Sequence, residues 1–458
     1  MTASVFARRS SMPAPADELF AWHERPGALE RLTPPWSPVT VLERQGGIED
    51  GGRVVLGLPV GPLQVRWEAL HRDYVRGRQF RDEQVRGPFA RWVHTHTVEP
   101  AGAETSLLED RIEWALPGGP LGAWLGGAAT ERMLERLFAW RHRTTAGDLA
   151  AHAPCRARPM SVAVTGASGL VGSALVPFLG TGGHRVVRLV RRGTSGCDTL
   201  RWDPEDATLA LDGLDGIDAV VHLAGESIAA GRWTAERKRR IHDSRARGTR
   251  ALAEALAALP HPPRVLVSAS AIGIYGDRGD EALDETSPAG AGFLADVCRA
   301  WEAATEPLTR RGTRVVHLRF GVVLTPAGGA LAQMLLPFRV GLGGPAGSGE
   351  QFVSWIGIDD LVGAIHHALV TDGLTGAVNA VAPEPVRNRA LATAIGRALG
   401  RPALVPVPAA VLRLALGELA DALLLSSARV LPTRLGDSGY RFRTPDLDAA
   451  LAHVLGTG

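Results

Sequence analysis

The chain has 458 residues, with 50 Lys and Arg against 48 Asp and Glu, so its net charge of +2 points away from nucleic acid or an anionic membrane surface as its main partner. Its length exceeds what one hydrophobic core ordinarily organises and predicts two or three domains. Cys155, Cys197 and Cys298 are odd in number, scattered and without C-x-x-C spacing, which argues against structural disulfides or a zinc site and fits a reducing, cytoplasmic setting.

Met1 to Phe20 lacks the uninterrupted apolar core of a signal peptide. Strand-like runs follow at Val39 to Glu43, Arg53 to Leu58, Leu63 to Leu70, Gln79 to Val85, Phe89 to Val98 and Thr105 to Trp114, separated by Gly and Pro turns. A long helix is expected over about Leu121 to Leu149. Strands closed by one long helix predict an α+β unit over residues 1–152, a curved sheet wrapping the helix. Within it Trp92, His94 and His96 alternate along one strand and share a face. No further partner is spaced along the sequence to complete a metal site, so these histidines are expected to line a cavity or the surface.

After an Ala, Pro and Arg-rich boundary at Ala151 to Pro159 the pattern changes to alternating strand and helix. Val162 to Thr165 is an apolar strand running into Gly166-Ala167-Ser168-Gly169-Leu170-Val171-Gly172 and then a helix. Glycines at this spacing turn the chain tightly, let backbone approach a diphosphate, and allow the helix to pack closely, while the helix start offers N–H groups to anionic oxygens. The next strand, Arg185 to Val190, ends at Arg191 and Arg192, where an NAD-preferring site would place a carboxylate for the ribose 2′-hydroxyl. Two guanidinium groups suit a 2′-phosphate and predict NADP. Further strands at Ala219 to Leu223, Arg264 to Ser268 and Arg314 to Leu318 alternate with helices at Glu236 to Ala258 and Gly292 to Arg311, which predicts a parallel sheet covered on both faces over residues 160–382. A small helical cap is expected over 383–455. There the apolar stretch Leu404 to Leu425, broken by Arg413, Glu418 and Asp421, reads as an amphipathic helix and not as a membrane span.

The glycine turn, His222-Leu223-Ala224-Gly225-Glu226, Arg232-Trp233-Thr234, Ser244-Arg245 with Gly248-Thr249, Ser268 through Asp277, and Ser354-Trp355-Ile356 with Asp359-Asp360 together resemble the atypical extended short-chain dehydrogenase/reductases, the NAD-dependent epimerase-like oxidoreductases with a C-terminal cap. The resemblance covers about Met160 to Leu455. It implies an α/β Rossmann fold, and that Leu223, Ala224, Gly225, Ser268 and Arg319 border the cofactor. The N-terminal part, through Ala14 to Phe20, Trp22 to Ala28, Leu32 to Trp36 and Gly87 to His96, is similar to the START-like, polyketide-cyclase helix-grip superfamily. That similarity implies a fold around an apolar cavity and a hydrophobic small-molecule ligand.

Ordinary members of the reductase family use Ser or Thr, Tyr and Lys, the Lys lowering the pKa of the Tyr. Matching Glu302 to the family's helix puts Leu294 at the Tyr position and Cys298 at the Lys position. Composition says the same independently. Tyr74, Tyr275 and Tyr440 are followed four residues on by Arg78, Gly279 and Thr444, and Thr234 lies four residues before the single lysine, Lys238. An unassisted phenol is a poor base at neutral pH. Acid–base or polarising groups must therefore come from elsewhere, and the candidates are Ser270 (with Ser268 as alternative), Tyr275 and Glu226. Cys298 reads as a buried helix residue, and Asp359 as the cap of the helix that follows it. The expected activity is hydride transfer between NADP(H) and a small carbonyl or alcohol substrate. A non-enzymatic NADP(H) sensor, and a cyclase or lipid-binding activity in the N-terminal domain, stand as alternatives.

Overall fold

The computed structural model describes residues 3–60, 63–191, 196, 198–204 and 212–457, and no helix among them is long and apolar enough to cross a membrane. They form two compact units, one up to Ala157 with Gly180–Gly183, the other Arg158–Leu179 with His184–Thr457.

In the first unit β1 (Ser4–Met12), α1 (Ala16–Glu24) and α2 (Ala28–Arg31) precede β2 (Thr40–Gln45), β3 (Arg53–Val60), β4 (Leu63–Val75), β5 (Gln79–Arg86), β6 (Arg91–Pro100) and β7 (Ser106–Ala115), and α3 (Gly119–His152) closes it. The strands form one antiparallel sheet in the order β1-β7-β6-β5-β4-β3-β2. Burial alternates along β6 and β7, so that Trp92, Ile112 and Trp114 on the covered face pack with Leu134 and Phe138 of α3. A second cluster, Met12, Leu19, Phe20, Trp22, Phe80 and Leu149, lies under α1. β1 and α1 were absent from the sequence expectation. The Arg8-Arg9-Ser10-Ser11 run carries no apolar alternation, and β1 is a sheet-edge strand held by its full-length pairing with β7.

In the second unit β8 (Ser161–Thr165), α4 (Gly172–Thr181), β9 (Arg185–Val190), β10 (Thr199–Arg201), β11 (Ala219–His222), α5 (Ala235–Ala257), β12 (Val265–Ala271), α6 (Phe293–Ala303), α7 (Glu306–Arg310), β13 (Arg314–Phe320), α8 (Gly329–Arg339), α9 (Ile358–Val370) and β14 (Gly376–Ala380) build a parallel seven-stranded sheet in the order β10-β9-β8-β11-β12-β13-β14. The order reverses at β8, where such sheets open a ligand crevice at the strand carboxyl ends. After β14 come α10 (Asn388–Leu399), α11 (Ala409–Leu416), α12 (Thr433–Asp437) and α13 (Leu447–Leu455). Leu324, Leu335, Phe338, Trp355, Ile395 and Leu451 make their core with α8.

Several assignments in this unit differ from the sequence expectation. β12 runs on to Ala271, so Ser270 lies inside the strand and not beyond it. The helix expected over Gly292 to Arg311 is two, with Pro307 at the start of the second. The single amphipathic helix expected over Leu404 to Leu425 is also two, α11 and a π-helical turn at Ala420–Leu425, because Gly417 takes φ +64° between them. Asp359 sits within the first turn of α9 and is no cap; its carboxylate meets His453 Nε2 at 2.8 Å, while Asp360 accepts the N–H groups of Arg443 (2.7 Å) and Thr444 (3.0 Å).

Candidate functional site

Val162, Ala163 and Val164 are fully buried because β8 is central and covered on both faces. The chain leaves it through Gly166 at φ +66°, and a Cβ there would lie 2.8 Å from the Leu223 carbonyl. A Cβ at Gly172 would lie 2.2 Å from the Gly166 carbonyl oxygen, so the helix start can close on the turn only with glycine. Gly169 N–H donates to the Gly166 carbonyl (2.9 Å), and Ser168 and Gly169 are exposed at the crest between the partly buried Ala167, Leu170 and Val171. This glycine-spaced turn ahead of α4 fits a dinucleotide diphosphate.

Thr165 ties the turn to the neighbouring strand. Its Oγ1 accepts the N–H groups of Leu223 (3.0 Å) and Ala224 (3.2 Å), and lies 2.8 Å from His222 Nδ1. With both lone pairs engaged, the hydroxyl donates its own proton to Nδ1, which leaves Nε2–H to donate to Thr249 Oγ1 at 2.9 Å. His222 is thus a neutral imidazole. Burial, and then the Arg245 charge, lower its pKa to about 4. Leu223, Ala224 and Gly225 follow directly, with the Arg245 guanidinium against Gly225. Glu226 is anchored by its backbone, its N–H to Ser244 Oγ (3.0 Å) and its carbonyl to Arg245 (2.9 Å), and its carboxylate is part-exposed. Arg191 is exposed immediately beyond β9. Arg192 lies outside the described residues.

Parallel register sets a second cluster at the carboxyl edge, where Ser270 of β12, Arg319 of β13 and Asn379 of β14 occupy one row across three strands. Glu302 of α6 receives both arms of the Arg319 guanidinium at 2.9 Å and the Ser270 hydroxyl at 2.7 Å. Tyr275 accepts from Arg319 Nη1 and donates to Asn379 Oδ1, both at 2.8 Å. Burial would raise the Glu302 pKa, but its bonds and ion pair with Arg319 outweigh that and hold it low; burial raises that of Tyr275. Tyr275 is fully buried and Ser270 nearly so, and each hydroxyl proton is engaged within the network. Ser268, also fully buried, pairs with His222 in the sheet. Leu294 lies against Gly273, and Cys298 shares an apolar cluster with Tyr275, its thiol pushed up to about 11 chiefly by burial.

A sequence model of the NAD dependent epimerase/dehydratase family matches residues 162–380. An epimerase family protein of Mycobacterium tuberculosis is 42% identical over 293 residues, 64% of this chain and 97% of that protein. The chain belongs to the epimerase family. As an enzyme of that family it joins an NAD(P)-type Rossmann unit to an N-terminal ligand-binding domain, since residues 12–139 match the polyketide cyclase, dehydrase and lipid transport family. Residues 407–454 match a domain of unknown function (DUF1731). A Corynebacterium glutamicum structure described as a nucleoside-diphosphate sugar epimerase is 35% identical with TM-score 0.81, over 98% of this chain and 90% of that one. The human epimerase family protein SDR39U1, solved with NADPH, is 39% identical with TM-score 0.61, over 65% of this chain and 99% of that one.

In this epimerase-family chain the covered face of β6 runs from Trp92 through His94 and His96 to Val98, so two buried histidines lie between the apolar clusters of the helix-grip interior. Cross-strand pairing sets Asp82 of β5 opposite His94, and Asp110 of β7 opposite His96. The acidic partners that spacing along one strand did not supply therefore come from both neighbouring strands. Asp110 Oδ1 is 2.9 Å from His94 Nε2, and its Oδ2 is 2.7 Å from His142 Nε2, whose Nδ1 meets Ser10 Oγ at 2.8 Å. Burial alone would lower the His94 pKa, but the flanking carboxylates push it up to about 9. Burial would raise Asp110, yet the surrounding imidazoles hold it well below the usual carboxylate range. His23, buried beside them, is lowered to about 4 by desolvation and then by His96.

Proposed function

We propose that the Rossmann unit binds NADP(H) in preference to NAD(H) and catalyses hydride transfer to or from a small carbonyl or alcohol substrate. The observation that carries the preference is Arg191, an exposed guanidinium at the end of β9 where a carboxylate would repel a 2′-phosphate. The human relative solved with NADPH supports it. Gly166 to Gly172 would hold the diphosphate, with Leu223, Ala224, Gly225 and Ser268 beside it, and the cofactor supplies the hydride. Arg319, locked on Glu302, keeps Ser270 and Tyr275 at the sheet edge as fixed dipoles, and a substrate oxygen would take the Ser270 hydrogen bond in place of Glu302. Glu226, part-exposed after the Gly225 turn, would exchange a proton with solvent. The N-terminal domain would bind a hydrophobic small molecule.

Fluorescence titration with NADPH and NADH tests the preference. Wild type is expected to bind NADPH at least tenfold more tightly, and Arg191→Asp to remove that ratio. Equal binding of the two cofactors by wild type would refute it. With NADPH bound, turnover of a carbonyl panel should fall in Ser270→Ala; turnover that survives the substitution removes Ser270 from the mechanism.

A further inference from the structure

We propose that the helix-grip domain holds a divalent first-row transition-metal ion on Asp82, His94 and His96. Asp82 Oδ1 is 3.1 Å from His94 Nδ1 and 3.4 Å from His96 Nε2, and one ligand atom from each of the three residues lies within 4.8 Å of the others. Metal bonds of about 2.0–2.1 Å at the tetrahedral angle separate neighbouring donors by about 3.3 Å, so the 3.1 and 3.4 Å carboxylate–imidazole spacings match two edges of a coordination shell.

The far side of each imidazole completes the pattern. His94 Nε2 meets Asp110 Oδ1 at 2.9 Å, which is the arrangement in which a metal-bound histidine gives its other N–H to a carboxylate, and His96 Nδ1 lies 2.6 Å from the same oxygen. Asp110 is itself braced by His142 and Ser10. Phe80 stacks on His96 at 4.0 Å and 14°, and Phe138 meets His94 in a T-shaped contact at 5.1 Å, so packing holds both rings in place. Two imidazoles and one carboxylate suit Zn2+ or Fe2+ over Ca2+ or Mg2+, and three protein ligands leave a position for water or a ligand oxygen.

The test uses the tag-free full chain, stripped with a chelator and titrated with Zn2+ by calorimetry, with retained metal measured by mass spectrometry. One ion per chain is expected. Asp82→Asn, with its circular dichroism unchanged, should weaken binding at least 100-fold, and His96→Gln serves if that variant fails to fold. Co2+ at this site should show d–d absorption without a sulfur charge-transfer band. Failure of wild type to retain an ion, equal retention by the folded variants, or a thiolate band would each overturn the assignment.

Discussion

Lowering the pH should destabilise the Rossmann unit through His222, because Thr165 and Thr249 hold its ring in the neutral tautomer. The folded protein then binds fewer protons than the unfolded chain, so this contribution is present above pH 6.5 and is lost as the pH falls towards the folded value of about 4. Those two pKa values give a loss of roughly 2 kcal/mol between pH 7 and pH 5, and about 3 kcal/mol in full. His222→Asn keeps an acceptor for Thr165 but strands Thr249, costing about 1–3 kcal/mol at pH 7. Because the variant no longer titrates, its deficit against wild type should shrink by roughly 2 kcal/mol at pH 5. Native-state hydrogen exchange of β8 and β11 amides reads this unit directly. A deficit unchanged between the two pH values would show that His222 is not held neutral and would refute the tautomer derived from Thr165.

Gly172→Ala puts a Cβ 2.2 Å from the Gly166 carbonyl oxygen, a backbone atom that cannot swing aside. NADPH affinity should fall at least 100-fold with the far-ultraviolet spectrum preserved, and undiminished affinity would dissociate the turn from cofactor binding. In the N-terminal unit Arg31 makes two 2.8 Å bonds to the fully buried Asp148. Asp148→Asn removes the carboxylate from this buried bidentate pair and should cost about 3–5 kcal/mol in urea denaturation; a loss below about 1 kcal/mol would show that the pair is replaceable.

Where the signal is local, the sequence carried it. Apolar runs, the glycine spacing and the alternation along β6 read directly as strands, a turn and a shared face, and β9 occupies the expected Arg185–Val190. The absence of Tyr-x-x-x-Lys was also fully legible, because composition alone excludes it. Ser270 could be named as a polarising candidate and Arg319 as an expected neighbour of the cofactor, but Glu302 binding both of them could not: it stands 32 and 17 residues away and reaches them from a helix.

What the sequence by itself determined is therefore the periodicity of each element, the glycine positions where a side chain would collide, and the chemistry that the chain lacks. Only the tertiary structure decided which residues from different strands share a row. Register joins Ser270, Arg319 and Asn379 across β12, β13 and β14, and sets Asp82 and Asp110 against His94 and His96. The physical reason is that strand alternation fixes the face a side chain occupies, whereas its neighbours on that face are chosen by pairing between segments far apart in the chain.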